Sequence, residues 1–198
     1  MNDCLNTYID SLLKFIFCMK KLFLLFAAFA CLNANAQKIE SIEQDEFEGV
    51  VRIKTSVEKL SKETFKDTSG QTMFYIRTVD NGVFLHLLWQ CRYPKAIAEG
   101  AKIYLLLDDK TKISGTCASD AYSEPGVAST KAVRVSGVLG LNIPYYLGLE
   151  NAYSLIGKKV AKIRIFTSDS YKDFDVVEKN QDKIGNALEL VIKELEKK

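Results

Sequence analysis

The sequence predicts an α+β domain: an antiparallel β-sheet or two-layer β-sandwich, with a short helix and a C-terminal amphipathic helix. Apolar and polar residues alternate from Phe47 to Asp175, with turn signals between the alternating stretches. Asn81-Gly82 separates two of these stretches and is a strong hairpin signal. From Asp182 onward the apolar residues follow a helical period instead.

Residues 19–36 have the pattern of a signal peptide. Two lysines follow Met19, an apolar run occupies 22–30, and a small-x-small pattern ends at Ala36. The run is shorter than the about 20 residues that a membrane-spanning helix needs. We expect cleavage after Ala36 and export to the periplasm or beyond, and we interpret residues 1–18 as a start-site misassignment.

Two alternatives to ordinary secretion remain open. A longer membrane anchor from Leu12 onward would place three lysines in hydrocarbon, at about 2.5 to 3.5 kcal/mol each. Acylation of Cys31 would make the protein a lipoprotein, although residues 28–30 form a poor lipobox because Ala stands where Leu is usual.

The part that would remain after cleavage, residues 37–198, has the length of one domain. Residues 1–36 contain three of the 27 basic and two of the 25 acidic residues, so the remainder carries a formal net charge of +1. This balance gives no electrostatic footprint for nucleic acid. We expect no nucleic-acid partner, no cofactor and no stable membrane span in this part.

The clearest single unit is a hairpin over residues 72–91. A two-residue turn at Asn81-Gly82 predicts that Ile76 lies opposite Leu87 and Arg77 opposite His86. One face is then apolar and belongs to the core. The other face is mixed, and its residues are Tyr75, Arg77, Val79, Phe84, His86 and Leu88.

Further strands and two helices follow from the same patterns. A second hairpin turns at Asp109-Lys110 between strands 102–108 and 112–117. A connection at 118–130 precedes three strands, which are 132–141, 160–166 and 174–177. The predicted helices are 149–156, which Gly157 ends, and 182–197, whose apolar stripe includes Ile184, Leu188, Val191 and Leu195.

Cys91 and Cys117 are the two cysteines beyond residue 36. The register of the second hairpin places Cys117 opposite Lys102 and puts the two sulfur atoms about 9 to 10 Å apart, which is too far for a disulfide. A different strand order would bring them together, so a disulfide stays an open alternative.

His86 is the only histidine, which removes the common Ser-His and Cys-His dyads. We favour a partly buried strand residue that is hydrogen-bonded to a neighbour over a general base or ligand beside Arg77. No motif for a known catalytic class is present, so a non-catalytic protein is favoured over an enzyme.

Carboxylates in two regions offer the alternative of an enzyme. They are Asp108 and Asp109 after one strand, and Asp169, Asp173 and Asp175 after another. The second group has some of the oxygen spacings of a calcium loop but lacks its glycine and its terminal glutamate, so we predict no metal site. Solvated turns are the favoured interpretation, and a hydrolase that uses paired carboxylates is the alternative.

Tyrosine and phenylalanine are abundant enough to raise the question of a recognition surface. Packing within the sheet is the favoured explanation, and recognition of a sugar or protein is the alternative. The residues concerned are Tyr75, Phe84, Tyr104, Tyr145, Tyr146, Tyr153 and Tyr171.

Four short segments resemble small exported proteins of Bacteroidota that have no established function. They are the Lys20-Lys21 start, the cleavage region Ala34-Asn35-Ala36-Gln37, and the strand segments 102–109 and 161–167. The resemblance implies export and a β-rich fold with a terminal helix. It implies no activity and no site residue.

These observations lead to one main hypothesis and two alternatives. The main hypothesis is a non-catalytic envelope protein that binds a protein, glycan or lipid through the mixed hairpin face, at Tyr75, Arg77, Phe84 and His86. The alternatives are the carboxylate hydrolase and a small-ligand carrier with an apolar cavity between sheet and helix.

Overall fold

One antiparallel sheet organises the part of the chain that the computed structural model describes, which is residues 37–61, 71–127 and 139–197. These residues belong to one compact unit, Gln37–Lys198. The predicted start 1–18, the signal peptide 19–36 and Cys31 lie outside the described residues. Within the described ranges the strands are β1 Ile39–Gln44, β2 Val51–Thr55, β3 Glu58–Lys59, β4 Thr72–Val79, β5 Gly82–Cys91, β6 Ala96–Ile97, β7 Lys102–Leu107, β8 Lys112–Cys117, β9 Ala121–Tyr122, β10 Glu124–Pro125, β11 Leu139–Tyr146, β12 Val160–Phe166 and β13 Tyr171–Asp175.

The strands form a continuous sheet in the order β1-β2-β4-β5-β11-β8-β7-β12-β13. β3 pairs with β4 and β10 with β11, while β6 and β9 form a separate two-stranded sheet. The predicted antiparallel sheet is confirmed. The alternative of a two-layer sandwich is not confirmed, because the described strands follow one hydrogen-bonded order, and that sheet is not closed.

Two helices pack on one face of the sheet, which we call the inner face. α1, Gly148–Leu155, contacts β5 and β8, and α2, Lys183–Leu195, contacts β2, β4 and α1. A 3-10 turn at Glu178–Asn180 precedes α2. Both predicted helices are confirmed to within two residues at each end. Neither has the length and apolar character that a bilayer crossing requires, and no other helix of the described residues does.

The sheet bends around this inner face. Trp89 of β5 packs edge-on against Phe174 of β13, with ring centroids 5.5 Å apart, although four strands lie between β5 and β13 in the sheet. The backbone carbonyl of Leu60, just after β3, accepts a hydrogen bond of 3.1 Å from the amide of Val177, just after β13. Side chains of the inner face and of both helices therefore share one buried apolar cluster.

The register of the first hairpin differs from the predicted one. The turn residues are Asp80 and Asn81, and Val79 pairs with Gly82. Asp80 takes up the positive φ, 50°, that the turn needs. Ile76 therefore lies opposite Leu85 and not Leu87, and each other partner is shifted by two residues as well. A shift of two leaves every side chain on its predicted face.

The second hairpin is also displaced from the prediction, by one residue. Leu107 and Thr111 close a three-residue loop in which Lys110 has φ 69°, and Lys102 pairs with Thr116. Cys117 consequently points inward and Thr116 outward, because an odd shift exchanges the two faces.

The remaining strand predictions are confirmed in part. The predicted strand 160–166 coincides with β12, and the predicted strand 174–177 begins three residues earlier, as β13. Most of the predicted strand 132–141 lies outside the described residues, and the described part continues to Tyr146 as β11. The predicted connection 118–130 contains the short strands β9 and β10.

Candidate functional site

The outer face of the sheet, opposite the helices, carries the four candidate residues of the hairpin. Tyr75 and Arg77 lie on β4, and Phe84 and His86 on β5. Tyr75 and His86 are each only 9% exposed, whereas Arg77 and Phe84 are partly exposed. Together with Met73 and Leu88, Tyr75 forms a small buried cluster separate from the main core. The structure thus divides the four candidates into a buried pair and an accessible pair.

The buried pair is held by Asn142, which sequence reasoning did not identify. Tyr75 and His86 are cross-strand partners whose rings stack with centroids 4.4 Å apart. His86 Nδ1 lies 2.8 Å from the hydroxyl oxygen of Tyr75 and 3.0 Å from Asn142 Oδ1. Asn142 Nδ2 donates to the same tyrosine oxygen at 3.1 Å. Three strands are therefore joined by one hydrogen-bonded group.

This group favours a neutral imidazole. In the assigned orientation of the amide, Asn142 Oδ1 can only accept, so the ring proton belongs on Nδ1 of His86. Burial lowers the pKa of His86, the positive charges of Arg77 and Lys54 lower it further, and the hydrogen bond with Asn142 acts in the opposite direction. His86 is thus buried in the sheet and hydrogen-bonded to its neighbours, which is the environment that the sequence interpretation favoured.

The accessible pair belongs to a longer line of side chains that crosses the outer face. Strand pairing aligns Lys54 with Arg77, Arg77 with Phe84, and Phe84 with Tyr146. Tyr146 pairs with Thr116, which pairs with Lys102. The register of the pair Ile103–Ile165, continued by one residue, places Lys102 opposite Phe166. Phe166 in turn pairs with Tyr171. We call this line the outer row, and its members in order are Lys54, Arg77, Phe84, Tyr146, Thr116, Lys102, Phe166 and Tyr171.

The outer row combines cations and aromatic rings. It holds three cations and four aromatic residues, and no carboxylate. Tyr146 and Tyr171 are 44% and 56% exposed. Lys54 is paired with Glu40 at 2.8 Å, but among the described residues neither Arg77 nor Lys102 forms an ion pair. The row therefore presents a net positive, partly apolar strip.

The β13 end of the row is fixed by its neighbours. The guanidinium of Arg164 donates to both carboxylate oxygens of Asp173, at 2.6 and 2.7 Å, and lies 4.1 Å from the ring centroid of Tyr171. This hydrogen bonding lowers the pKa of Asp173. Phe166 contacts Tyr171 on one side and Tyr104 on the other, at centroid distances of 6.4 and 5.5 Å. Such cross-strand contacts stabilise the pairing of neighbouring strands.

The two cysteines are not brought together. Both are buried and free, and they lie opposite Leu139 and Tyr145 of the same strand, β11. Six residues of extended strand span about 20 Å, well beyond the Cα separation of a disulfide. Burial raises the pKa of both thiols, which makes them poor nucleophiles.

The carboxylates of the hydrolase alternative are paired with separate cations. Asp109 binds Lys158 at 3.0 Å, and Asp169, near the other end of β12, binds Lys95 at 3.2 Å. Hydrogen bonds from Thr111 and then from Lys158 lower the pKa of Asp109 to about 2. Asp108 and Asp109 are therefore separated from Asp169 by the length of a strand. The described residues also contain no cluster of three or more acidic, histidine or cysteine side chains suited to a metal ion.

The inner face carries one unusual residue, Tyr145. Tyr145 is the cross-strand partner of Cys117 and is fully buried. Its hydroxyl has no hydrogen-bond partner among the described residues. Burial raises the pKa of Tyr145. Its neighbour Tyr146 points to the opposite face and joins the outer row. Adjacent tyrosines therefore have opposite environments, as strand alternation requires.

Comparisons with known proteins do not indicate a function for this surface. No protein-family model, curated protein or solved structure matches the chain. The candidate site accordingly rests on the arrangement of this chain's own residues across β4, β5 and β11.

Proposed function

We propose that this is a non-catalytic binding protein of the cell envelope, which binds its partner through Arg77, Phe84 and Tyr146. The observation that carries the proposal is that these three side chains lie side by side on consecutive strands and remain accessible. Both helices of the described residues pack on the other face, so neither of them covers this surface. Arginine and aromatic residues are the side chains that most often anchor binding surfaces.

Tyr75 and His86 support this surface from within the sheet and are not themselves contacts. Their stacked rings and their bonds to Asn142 tie β4, β5 and β11 together directly beside the three contact residues. A surface that is fixed before binding loses less conformational entropy when the partner binds. The favoured role of the candidate pair is therefore positioning.

Export is part of the proposal and is supported by the pattern of residues 19–36. The destination would be the periplasm or the exterior, with a lipid anchor on Cys31 as the alternative. Intact mass of the protein recovered from cells tests this directly. A species that starts at Gln37 supports secretion, and one that starts at an acylated Cys31 supports the lipoprotein. Retention of residues 19–36 would overturn cleavage after Ala36 and would favour the membrane-anchor alternative.

Hydroxyl-radical footprinting tests the binding surface without assuming the chemistry of the partner. The protein is labelled once in intact cell envelopes and once after purification, and oxidation is quantified residue by residue. We expect Phe84 and Tyr146 to be protected in the envelope. Tyr122 and Tyr153 are 63% and 51% exposed and lie outside the outer row, so they serve as matched controls. Equal oxidation of Tyr146 in both samples would contradict the proposal.

A further inference from the structure

We infer that the ligand is a linear, sparsely charged acidic polysaccharide that lies along the whole outer row. This inference rests on the proposed function and extends its surface from the hairpin to β13. The row crosses eight strands, which at about 4.8 Å per strand corresponds to roughly 34 Å along the surface. That length suits an extended chain better than a compact ligand.

The spacing of the cations argues for a sparsely charged polymer. Lys54 and Arg77 are adjacent in the row, and the next cation, Lys102, is four strands beyond Arg77, at about 19 Å. Duplex DNA, by comparison, carries a charge about every 1.7 Å. A densely charged polymer would leave most of its charges opposite uncharged side chains. A polymer with carboxylates at intervals matches the row.

The stretches between the cations suit sugar rings. Phe84 and Tyr146 lie between Arg77 and Lys102, with ring centroids 5.5 Å apart, and Phe166 with Tyr171 follows Lys102. A pyranose has an apolar C–H face that packs on an aromatic ring, while its hydroxyls bond to neighbouring polar groups. Thr116, between Tyr146 and Lys102, is exposed and offers such a group.

Two of the cations that border the row leave its charge pattern intact, whereas Lys112, 4.4 Å from the ring centroid of Tyr104, adds a positive charge beside the row. Arg164 and Lys162 are paired with Asp173 and Asp175, so they add little net charge. Arg77 and Lys102 have no such carboxylate partner among the described residues, so each is available to a ligand carboxylate. Charge complementarity is therefore concentrated at two points of the row, one on β4 and one on β7.

Binding of hyaluronan, which carries a carboxylate on every second sugar, provides the test. The protein recovered from cells is titrated with hyaluronan oligosaccharides at two salt concentrations. We expect saturable binding that weakens as salt rises. Arg77→Gln and Lys102→Gln should each weaken binding by roughly 1.4- to 5-fold, the range for exposed charge pairs. Tyr171→Ser should weaken it too, whereas Lys179→Gln, an exposed lysine outside the row, should not.

The other outcomes separate this inference from the proposed function. If Arg77→Gln weakens hyaluronan binding but Lys102→Gln and Tyr171→Ser do not, the ligand occupies the hairpin end alone, and only the inference is overturned. Absence of hyaluronan binding also overturns it, while footprinting still tests the surface itself. Tighter binding of heparin or single-stranded DNA would show general attraction to polyanions and would overturn the sparse-charge argument. If neutral dextran binds as tightly as hyaluronan, charge does not contribute to recognition, and the inference is overturned.

Discussion

Trp89 and Phe174 pack edge to face with ring centroids 5.5 Å apart, yet their strands are five places apart in the sheet. The contact is made on the inner face, where both residues are almost fully buried. It joins the half of the sheet that contains the first hairpin to the half that ends at β13. Between these halves, β11 and β8 share only two paired positions, Tyr145–Cys117 and Tyr146–Thr116. The inner core therefore helps to hold the outer row together.

Phe174→Ala should lower the free energy of unfolding by about 3 to 5 kcal/mol, because it leaves a cavity beside Trp89. Trp89 is the only tryptophan, so its fluorescence during urea unfolding reports directly on this contact. Lys172→Ala, at an exposed position on the same strand, should change stability by less than about 0.5 kcal/mol. A cost below about 1 kcal/mol for Phe174→Ala would show that the contact does not join the two halves.

Gly185→Ala should destabilise the protein, even though alanine is more favourable than glycine within a helix by about 1 kcal/mol. A Cβ at this position would lie 2.7 Å from the carbonyl oxygen of Leu155 and 3.2 Å from that of Lys158, so α1 would have to move away from α2. We expect a loss of about 1 to 3 kcal/mol in urea unfolding. Asn186 is the next residue of the same helix and is exposed, so Asn186→Ala is the matched control. It should leave the free energy of unfolding nearly unchanged. A more stable Gly185→Ala variant would rule out this close approach.

His86 should titrate below the ordinary histidine pKa of 6.5 in the folded protein, since burial and two nearby cations disfavour its protonated form. The unfolded chain then binds the proton more readily, so stability should fall as pH drops below about 6.5 and should be insensitive to this group above it. The chain has one histidine, so its NMR ring signals are unambiguous. A midpoint at or above that of the urea-unfolded chain would contradict the buried arrangement with Tyr75 and Asn142.

Tyr145→Phe should raise the free energy of unfolding by about 1 kcal/mol, because it removes a buried hydroxyl that has no partner among the described residues. Tyr146→Phe makes the same chemical change on the exposed face and should alter stability by less than about 0.5 kcal/mol. Thermal or urea unfolding measures both. A clear destabilisation by Tyr145→Phe would mean that the hydroxyl is hydrogen-bonded, for example to an internal water.

The alternation of side chains allowed the faces of the sheet to be predicted, but not all the pairings. Phe74, Ile76 and Leu85 lie on the core face as expected, because an error of two residues in register does not change the side to which a residue points. The Asn-Gly signal still placed the turn one residue too late. At the second hairpin an error of a single residue was enough to reverse the orientation of Cys117.

The outer row was beyond sequence reasoning because it depends on the order of the strands. β11 inserts between β5 and β8, which brings Tyr146 beside Phe84 although 61 positions separate them in the chain. Asn142 was missed for the same reason, since nothing local relates it to His86. The alternation through Leu141 and Ile143 did carry a signal that the strand continues, and it marks Asn142 as outward-facing.

Site-specific photocrosslinking in living cells tests the central claim most directly. Tyr146→p-benzoyl-phenylalanine places the crosslinker in the middle of the outer row, and Tyr153→p-benzoyl-phenylalanine places it on α1 at similar exposure, 51% against 44%. We expect a crosslinked adduct of increased mass from position 146, reduced in yield when Arg77→Gln is added, and none from position 153. An adduct from position 153 alone, or an adduct from position 146 that Arg77→Gln leaves unchanged, would contradict the outer row as the binding surface.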